Sequence, residues 1–350
     1  MKALLFKGVN DISLEKVKVP VINDSELLIK INYAGICGTD VRIFNGTKVI
    51  DSPRILGHEF SGIIKEVGTN IKKYNVGDRV TVYPMIACGN CYACNENRTN
   101  ICINRKTIGY QINGGFAEYI KIPTEAINNG NVIKIPDSVT DIQAAASEPL
   151  AAAYNGIMRS NIKPNNTVVI IGGGPIGLLH VQLAKFVGAE KVILSEPIES
   201  KRKLAKKLGA DFCINPVEEN IKEKLMNITN GEGADRLLVD VGKPNLIENS
   251  LSYMKKGGRL VIFAGCPVGS EITIDPNIIH YKEIDFTGSS SSTPDNNRKV
   301  LELIAENHID IDSIITDIYD MKNWKKGFIK KANYEGLKSL IKFNGSYDYE

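Results

Sequence analysis

Residues 167–177, Thr-Val-Val-Ile-Ile-Gly-Gly-Gly-Pro-Ile-Gly, decide the fold of one half of this 350-residue chain. The first five residues predict a buried strand, and glycines in the spacing G-x-G-x-x-G follow it at once. In this spacing Gly172 makes a tight turn, Gly174 lets a pyrophosphate approach the backbone, and Gly177 allows close packing of helix on strand. An apolar helix to Val187 is predicted next, and its N-terminal N–H groups would bind the phosphates.

The next predicted strand, 191–195, ends at Glu196, which follows Gly177 by 19 residues. An acidic residue at about this distance accepts hydrogen bonds from the ribose hydroxyls of a dinucleotide. It would repel the 2′-phosphate of NADP, so the sequence predicts NAD, although Lys201 and Arg202 could offset that repulsion. G-x-G-x-x-G is a weak signal by itself, but between two such strands it indicates a dinucleotide-binding domain.

Strands and helices alternate through the rest of this half. Strands at 236–241 and 259–265 are predicted together with helices at 199–208 and 245–255, an order typical of a doubly wound parallel sheet. The strand 259–265 would end on the cofactor side of the sheet. The residues expected at that end are Ala264, Gly265 and Cys266.

The N-terminal part reads as short β segments separated by Gly, Pro and Asn. The predicted strands are 27–31, 62–68, 77–82 and 114–120. This pattern predicts a barrel-like β domain. A helix from Asp141 to Ser160 follows it, with Asp141 as the cap, and the C-terminal part is expected to rejoin this domain.

Cys37 and the triplet Gly57-His58-Glu59 lie in turns of this β domain. A thiolate and an imidazole suit zinc, and Glu59 adds an oxygen ligand beside the histidine. Three protein ligands and one open position form the pattern of a catalytic zinc site. A lone cysteine and a lone histidine are more often structural, so this hypothesis depends on the rest of the chain.

Four cysteines follow in the spacing C-x2-C-x2-C-x7-C, at Cys88, Cys91, Cys94 and Cys102. Four thiolates close a tetrahedral zinc site, and the role of such a site is structural. An iron–sulfur cluster is the alternative, and unligated thiols are the remaining possibility. The spacing to the fourth cysteine and the absence of a proline after it favour zinc.

Glu148 lies in an otherwise apolar run and precedes Pro149. Burying a carboxylate costs free energy unless the group has a partner. Two interpretations stay open: a carboxylate at the surface, or a group that faces the zinc.

Composition argues against several classes of partner. Lys plus Arg is 43 and Asp plus Glu is 40, so the formal charge of +3 gives no reason to expect nucleic acid or an anionic membrane. The chain contains no apolar run as long as a bilayer span, and its first residues turn polar too soon for a secretory signal. A cytoplasmic protein is expected, in which a cysteine cluster indicates metal. Gly345–Glu350 are expected to be disordered.

Together these residues resemble the zinc-dependent medium-chain alcohol dehydrogenases, over nearly the whole chain. The matching motifs are Cys37-Gly38-Thr39-Asp40, Gly57-His58-Glu59, Gly77-Asp78-Arg79-Val80, the four cysteines and the glycine turn with Glu196. Glu148 stands where other members have a cysteine, which is similar to the sorbitol (L-iditol), threonine and sugar-alcohol-phosphate branch. The resemblance implies an α/β fold class, with a GroES-like β-barrel catalytic domain (1–150 and 289–350) and a doubly wound parallel-sheet Rossmann domain (151–288).

The resemblance also implies roles for individual residues. The ligands implied for catalytic zinc are Cys37, His58 and Glu59. Glu148 would either join them or hold the metal-bound water, Asp40 would orient His58, and Thr39 would carry the substrate proton outward. The implied cofactor-binding residues are Gly172, Gly174, Pro175, Ile176, Gly177, Glu196, Lys201, Ala264, Gly265 and Cys266.

By the same resemblance, the expected reaction is hydride transfer between a secondary alcohol of a polyol, sorbitol- or iditol-like, and NAD, giving a ketose. The first alternative is a phosphorylated sugar alcohol, such as galactitol or arabitol phosphate, whose phosphate would meet Arg42 or Lys48. Threonine oxidation is another alternative. A redox-inactive nucleotide-binding protein would be expected to lose a zinc ligand or the proton relay, and this chain keeps them.

Two departures from the family pattern leave the substrate open. Arg42 stands near the position where many members have a histidine. Residues 289–292, all serine, occupy a stretch where polyol enzymes often present a bulky or basic side chain. Relatives are usually dimers or tetramers, so a homodimer or homotetramer is expected by analogy.

Overall fold

Short β-strands make up most of the N-terminal part in the computed structural model, which describes residues 1–343. The expectation for Gly345–Glu350 lies outside these residues. The elements of this part are β1 (Lys2–Gly8), β2 (Asp11–Lys16), β3 (Leu27–Gly35), α1 (Gly38–Phe44), β4 (Arg54–Ile55), β5 (Glu59–Val67), β6 (Arg79–Val82), β7 (Met85–Ile86), α2 (Tyr92–Asn95), β8 (Lys106–Thr107), β9 (Tyr119–Ile122), α3 (Thr124–Asn128), β10 (Val132–Lys134) and α4 (Asp141–Ala145).

Strands and helices alternate in the next part of the chain. Its elements are α5 (Ser147–Ser160), β11 (Thr167–Ile171), α6 (Pro175–Phe186), β12 (Lys191–Ser195), α7 (Glu199–Lys207), β13 (Phe212–Ile214), α8 (Ile221–Ile228), β14 (Ala234–Val239), α9 (Pro244–Leu251), β15 (Met254–Ile262), α10 (Pro276–Lys282) and β16 (Asp285–Gly288). The C-terminal elements are α11 (Pro294–Ala305), β17 (Ile315–Asp320), α12 (Trp324–Ala332) and β18 (Lys338–Lys342). The predicted strands 167–171 and 191–195 are confirmed residue for residue.

The chain divides into two compact units. The first comprises Met1–Glu148, Thr293–Asn307 and the residues from Ile311 onward, and the second comprises Pro149–Ser292 and His308–Asp310. The domain boundaries predicted after residues 150 and 288 stay predictions. Among residues 1–343, no helix combines the length and the apolar character needed to cross a bilayer.

Strand β3 lies inside the main sheet of the first unit. The sheet has the order β10-β6-β5-β3-β18-β17, and β9 also pairs with β3. Seven of the nine residues of β3 are buried, because covered sheet faces favour near-continuous apolar strands. Strands β3 and β5 are antiparallel, and Gly35 at the end of β3 pairs with Glu59 at the start of β5. This register places the chain that leaves β3 beside the chain that enters β5.

The second unit contains the predicted doubly wound parallel sheet. Its order is β13-β12-β11-β14-β15-β16, and each pair of neighbours is parallel. From β11 the chain runs outward through β12 and β13, and it then returns to β14 on the other side of β11. In such sheets, ligands bind beyond the carboxyl ends of the strands at this reversal of direction. The glycine turn after β11 lies at that position.

Two predicted helices needed correction. The helix predicted from Asp141 to Ser160 is interrupted at Ala146, and its cap is Thr140 rather than Asp141. The break has a physical reason, since Pro149 lacks an N–H and is tolerated only in the first turn of a new helix.

The helix predicted at 245–255 is too long, because α9 ends at Leu251. Met254 instead pairs with Ala234 as the first residue of β15. The sheet therefore overrides the helical pattern at the end of this segment.

Candidate active site

Cys37, His58 and Glu59 come together at the adjoining ends of β3 and β5. The ligand atoms of the three side chains all lie within 4.8 Å of one another. His58 and Glu59 are buried, whereas Cys37 is partly exposed. Sulfur, nitrogen and oxygen donors in this arrangement match the donor set of a zinc site that is accessible from one side.

Asp40 supports this set from α1. Its side chain is fully buried, its Oδ2 accepts a hydrogen bond from the Cys37 N–H at 2.9 Å, and its Oδ1 lies 3.5 Å from Nδ1 of His58. Within residues 1–343, neither Oδ1 of Asp40 nor Nδ1 of His58 has a hydrogen-bond partner. A carboxylate facing Nδ1 leaves Nε2 as the ring nitrogen available to a metal.

The surroundings of His58 favour positive charge, as a metal site requires. Burial lowers the pKa of His58, but electrostatic interactions with Tyr110, Asp40 and Cys37 outweigh it and raise that pKa well above its ordinary value. A bound cation would satisfy the same charges. The residues present therefore fit zinc.

Lys338 is a buried cation at this site that the sequence patterns did not reveal. Strand β18 pairs with β3, and Nζ of Lys338 contacts the carboxylate of Glu59 and donates to the Ile36 carbonyl at 3.3 Å. Burial would lower the pKa of Lys338, but the charges of Glu59 and Cys37 raise it. A Cβ on Gly35 would come within 2.9 Å of Lys338 and still closer to Glu59, so this ion pair requires glycine there.

The four clustered cysteines form a second candidate metal site. The Sγ–Sγ distances are 3.5 Å for Cys91–Cys94, 3.9 Å for Cys91–Cys102 and 3.5 Å for Cys88–Cys102. A Zn–S bond of about 2.3 Å places the corners of a tetrahedron about 3.8 Å apart. Backbone N–H groups lower the pKa of Cys91 to about 6, whereas burial and Cys91 raise that of Cys94 to about 12. A bound cation would allow all four thiols to ionise.

The glycine turn after β11 has the geometry that the motif predicts. Gly172 has φ of +107°, in the region that favours glycine. A Cβ on Gly177 would lie 1.8 Å from the Gly172 carbonyl oxygen, so only glycine fits there. Helix α6 begins at Pro175 with Gly174 as its cap. The Gly174 cap and Ile176 in the first helical turn lie beside the N–H groups that would bind a pyrophosphate.

Glu196 follows β12 and points at this turn. Its Oε2 accepts a hydrogen bond from the Gly173 N–H at 2.6 Å, and its Oε1 accepts one from the Ile198 N–H at 2.9 Å. The side chain is buried. Lys201 lies in the first turns of α7, and Arg202 donates to the backbone carbonyls of Glu196 and Pro197. The carboxylate is therefore held in place beside the predicted cofactor turn.

Two protein-family models match the chain. Residues 23–137 match the alcohol dehydrogenase GroES-like domain, and residues 175–306 match the zinc-binding dehydrogenase domain. The chain belongs to the zinc-dependent medium-chain alcohol dehydrogenases. The dehydrogenase accordingly has zinc and NAD(H) as its cofactors, and its GroES-like and Rossmann fold class is confirmed.

Three characterised relatives differ in the substrates that their names give. The dehydrogenase is 35% identical to D-arabitol-phosphate dehydrogenase of Enterococcus avium, over 96% of this chain and 95% of the relative. It is 34% identical to sorbitol dehydrogenase of Bacillus subtilis, over 97% of each chain. It is 38% identical to L-threonine 3-dehydrogenase of Thermococcus kodakarensis, over 91% of this chain and 88% of the relative.

A solved structure shares the fold. It is described as a zinc-binding dehydrogenase from Sinorhizobium meliloti 1021 bound to NADP, and it superposes with a TM-score of 0.91 at 34% identity. The match covers 97% of the dehydrogenase and 98% of the other chain.

Glu148 lies near the candidate zinc ligands but outside their group. Within residues 1–343, the ligand atoms that meet within 4.8 Å belong to Cys37, His58 and Glu59. Burial, and then the charge of Glu59, raise the pKa of Glu148 to about 7. A carboxyl group with this pKa can exchange a proton near neutral pH. Glu148 as a zinc ligand and Glu148 as the group that holds the metal-bound water both stay predictions.

Thr39 and Tyr110 connect the candidate zinc ligands to the basic side chains around them. Oγ1 of Thr39 accepts a hydrogen bond from Arg42 at 3.0 Å, and a side-chain hydrogen bond joins Thr39 to Tyr110. The ring of Tyr110 packs edge-on against that of His58, with centroids 5.3 Å apart. Tyr110 carries no motif of its own, so sequence patterns gave no signal for it.

The remaining predicted cofactor residues lie after β15, which ends at Ile262. The Ala264 N–H donates to the Val239 carbonyl at 3.1 Å, so this segment stays next to the end of β14. A Cβ on Gly242 would lie 2.2 Å from the carbonyl oxygen of Gly265. Ala264, Gly265 and Cys266 therefore follow the carboxyl end of the sheet, as predicted, and their cofactor contacts stay predictions.

Replacing Cys94 by serine is expected to remove one zinc ion per chain and to lower the thermal midpoint by more than about 5 °C. The reason is that three thiolates cannot close the tetrahedron of a structural site. Elemental analysis and a thermal scan measure both effects. Cys213→Ser, at a cysteine outside both clusters, is the control. Iron in place of zinc, or unchanged zinc content in Cys94→Ser, would contradict the assignment.

Proposed function

We propose that this dehydrogenase oxidises a secondary alcohol of a polyol to a ketose with NAD⁺ as the hydride acceptor. The observation that carries the proposal is the convergence of Cys37, His58 and Glu59 within 4.8 Å, together with a glycine turn that holds Glu196. One set of residues suits an electrophilic metal, and the other suits a dinucleotide with free ribose hydroxyls.

The candidate site residues of the first unit each have a defined role in this proposal. A zinc ion held by Cys37, His58 and Glu59 would supply Lewis acidity toward the reacting hydroxyl, and NAD would supply the redox chemistry. Asp40 keeps the His58 ring in one orientation. Thr39 accepts from Arg42 and shares a hydrogen bond with Tyr110, so its hydroxyl lies on a hydrogen-bonded path that suits a proton relay. Glu148, with its raised pKa, can hold or release a proton nearby.

The carbon skeleton that we propose is sorbitol- or iditol-like. A sorbitol dehydrogenase among the relatives supports it. The phosphorylated alternative is favoured by Arg42 and Lys48, which lie near Thr39 and Tyr110. Threonine oxidation has the support of the L-threonine 3-dehydrogenases at 36–38% identity.

NADH absorbance on zinc-loaded protein tests the proposal. The panel should contain sorbitol, xylitol, iditol, threonine, simple alcohols and phosphorylated polyols. Oxidation of at least one polyol is expected. Activity on simple alcohols alone, or on none of the panel, would refute the polyol assignment. The expected homodimer or homotetramer stays a prediction, which light scattering can check. The expected cytoplasmic location also stays a prediction, which cell fractionation can check.

Replacing Glu196 by alanine is expected to relax the preference for NAD over NADP by about 10- to 100-fold, because the carboxylate repels a 2′-phosphate and binds the ribose hydroxyls. Glu196→Gln removes the charge and keeps an acceptor oxygen for only one of the Gly173 and Ile198 N–H groups, because the other terminal atom becomes an amide NH2. The ratio of kcat/KM for the two cofactors is the measurement. Glu199→Gln, at an exposed acid in α7, is the control. An unchanged ratio in both Glu196 variants would contradict the ribose role.

A further inference from the structure

Basic side chains gather around Tyr110, next to the candidate zinc ligand His58. Nζ of Lys48 lies 3.7 Å from the centroid of the Tyr110 ring. Arg42 reaches the same place through Thr39, to which it donates at 3.0 Å. Arg105 is close enough to Lys48 for its charge to lower the pKa of the lysine. One aromatic ring thus separates Lys48 from His58.

The charges of Cys37 and Asp40 act on Lys48, but neither group forms an ion pair with it among residues 1–343. In the part of the chain that the structure describes, no ion pair joins Arg42, Lys48 or Arg105 to a carboxylate. Lys48 instead lies over the Tyr110 ring, Arg42 donates to the Thr39 hydroxyl, and Arg105 donates to the Asn100 carbonyl. Lys48 is half-buried, and burial followed by the charge of Arg42 lowers its pKa. Arg42 and Arg105 are exposed, so Lys48 is the cation of the three that loses hydration, and an anion beside it would restore its charged form.

We propose that Arg42, Lys48 and Arg105 form an anion subsite beside the zinc ligands, and that the substrate carries a phosphate or carboxylate group remote from the reacting hydroxyl. This inference rests on the proposed function. A guanidinium pairs with phosphate or carboxylate through two parallel hydrogen bonds, and a lysine adds a point charge. A neutral polyol offers only hydroxyls, which cannot form these charge-assisted hydrogen bonds.

The test is steady-state kinetics of the zinc-loaded enzyme with D-arabitol phosphate, D-arabitol, L-threonine and sorbitol. An anionic substrate is expected to have the highest kcat/KM. Lys48→Met and Arg105→Gln should each raise the KM for that substrate about 10- to 100-fold, with little change in kcat. The KM for the neutral polyols should not move. Lys48→Arg keeps the positive charge and should therefore have a KM for the anionic substrate close to that of the wild type. Lys18→Met, at an exposed lysine after β2, should behave as wild type.

Binding of inorganic phosphate is the second measurement. Phosphate should compete with the substrate in the wild type, and much less in Lys48→Met. Preference for the phosphate ester identifies phosphate as the natural anion. Preference for threonine identifies a carboxylate and refutes the polyol substrate of the proposed function. Highest kcat/KM for sorbitol, together with an unchanged KM in Lys48→Met, would overturn the subsite.

Absence of turnover with every compound would refute the proposed function instead. Calorimetric titration of inorganic phosphate into the wild type and Lys48→Met would then test the subsite directly. Equal binding by the two proteins would overturn it, and weaker binding by the variant would support it.

Discussion

Replacing Cys37 by serine is expected to lower turnover by more than about 100-fold, because even an indirect partner of a zinc ligand is worth 10- to 100-fold. Zinc content should fall from two ions per chain to one, since residues 1–343 contain two candidate ligand groups and only one loses a member. NADH binding should be preserved, because the glycine turn and Glu196 belong to the other unit. Activity, elemental analysis and NADH fluorescence titration are the measurements.

Cys213→Ser is the matched control for this variant, since it removes a thiol from β13 that has only a carbonyl contact. It should keep full activity and both zinc ions. Near-normal turnover in Cys37→Ser would exclude a catalytic zinc at this position. Loss of NADH binding together with activity would indicate misfolding, and the emission of Trp324, the single tryptophan of the chain, distinguishes that outcome.

Replacing Lys338 by methionine is expected to destabilise the first unit of the zinc-free protein by about 3–5 kcal/mol, because removing one partner of a buried ion pair leaves the other charge uncompensated. The side chains of Lys338 and Glu59 are 4% and 1% exposed, so water cannot replace the lost ammonium. Urea unfolding followed through Trp324 reports this unit, in which the indole is buried.

Two further variants make this measurement specific. Lys342→Met lies on the same strand, has no ion pair among residues 1–343 and should change stability by less than about 0.5 kcal/mol. Adding Glu59→Gln to Lys338→Met should recover part of the loss, because the uncompensated carboxylate is then gone. A loss below about 1 kcal/mol in Lys338→Met would show that Glu59 does not depend on this cation.

The two predicted helices whose extents were wrong show where local sequence patterns do not determine the structure. The run 141–160 has helical composition throughout, yet Pro149 forces a new helix to begin at Ser147. Residues 254 and 255 look like the end of a helix, yet they pair with β14. In each case a backbone hydrogen-bond requirement outweighs side-chain propensity, and propensities differ by less than about 1 kcal/mol per residue.

The sequence by itself determined the glycine turn and the four-cysteine cluster, and it predicted Glu196 and the candidate ligands Cys37, His58 and Glu59. The turn and the cluster are local, because spacings of a few residues fix them and leave little conformational choice. Cys37 and His58 are 21 residues apart, and the pairing of β3 with β5 brings them together. The tertiary structure alone decided the partners of these groups. Lys338 donates to Ile36 across 302 residues of chain, and Tyr110 meets His58 only when distant segments of the β domain come together. Such contacts depend on how distant segments pack together, so local sequence patterns do not predict them.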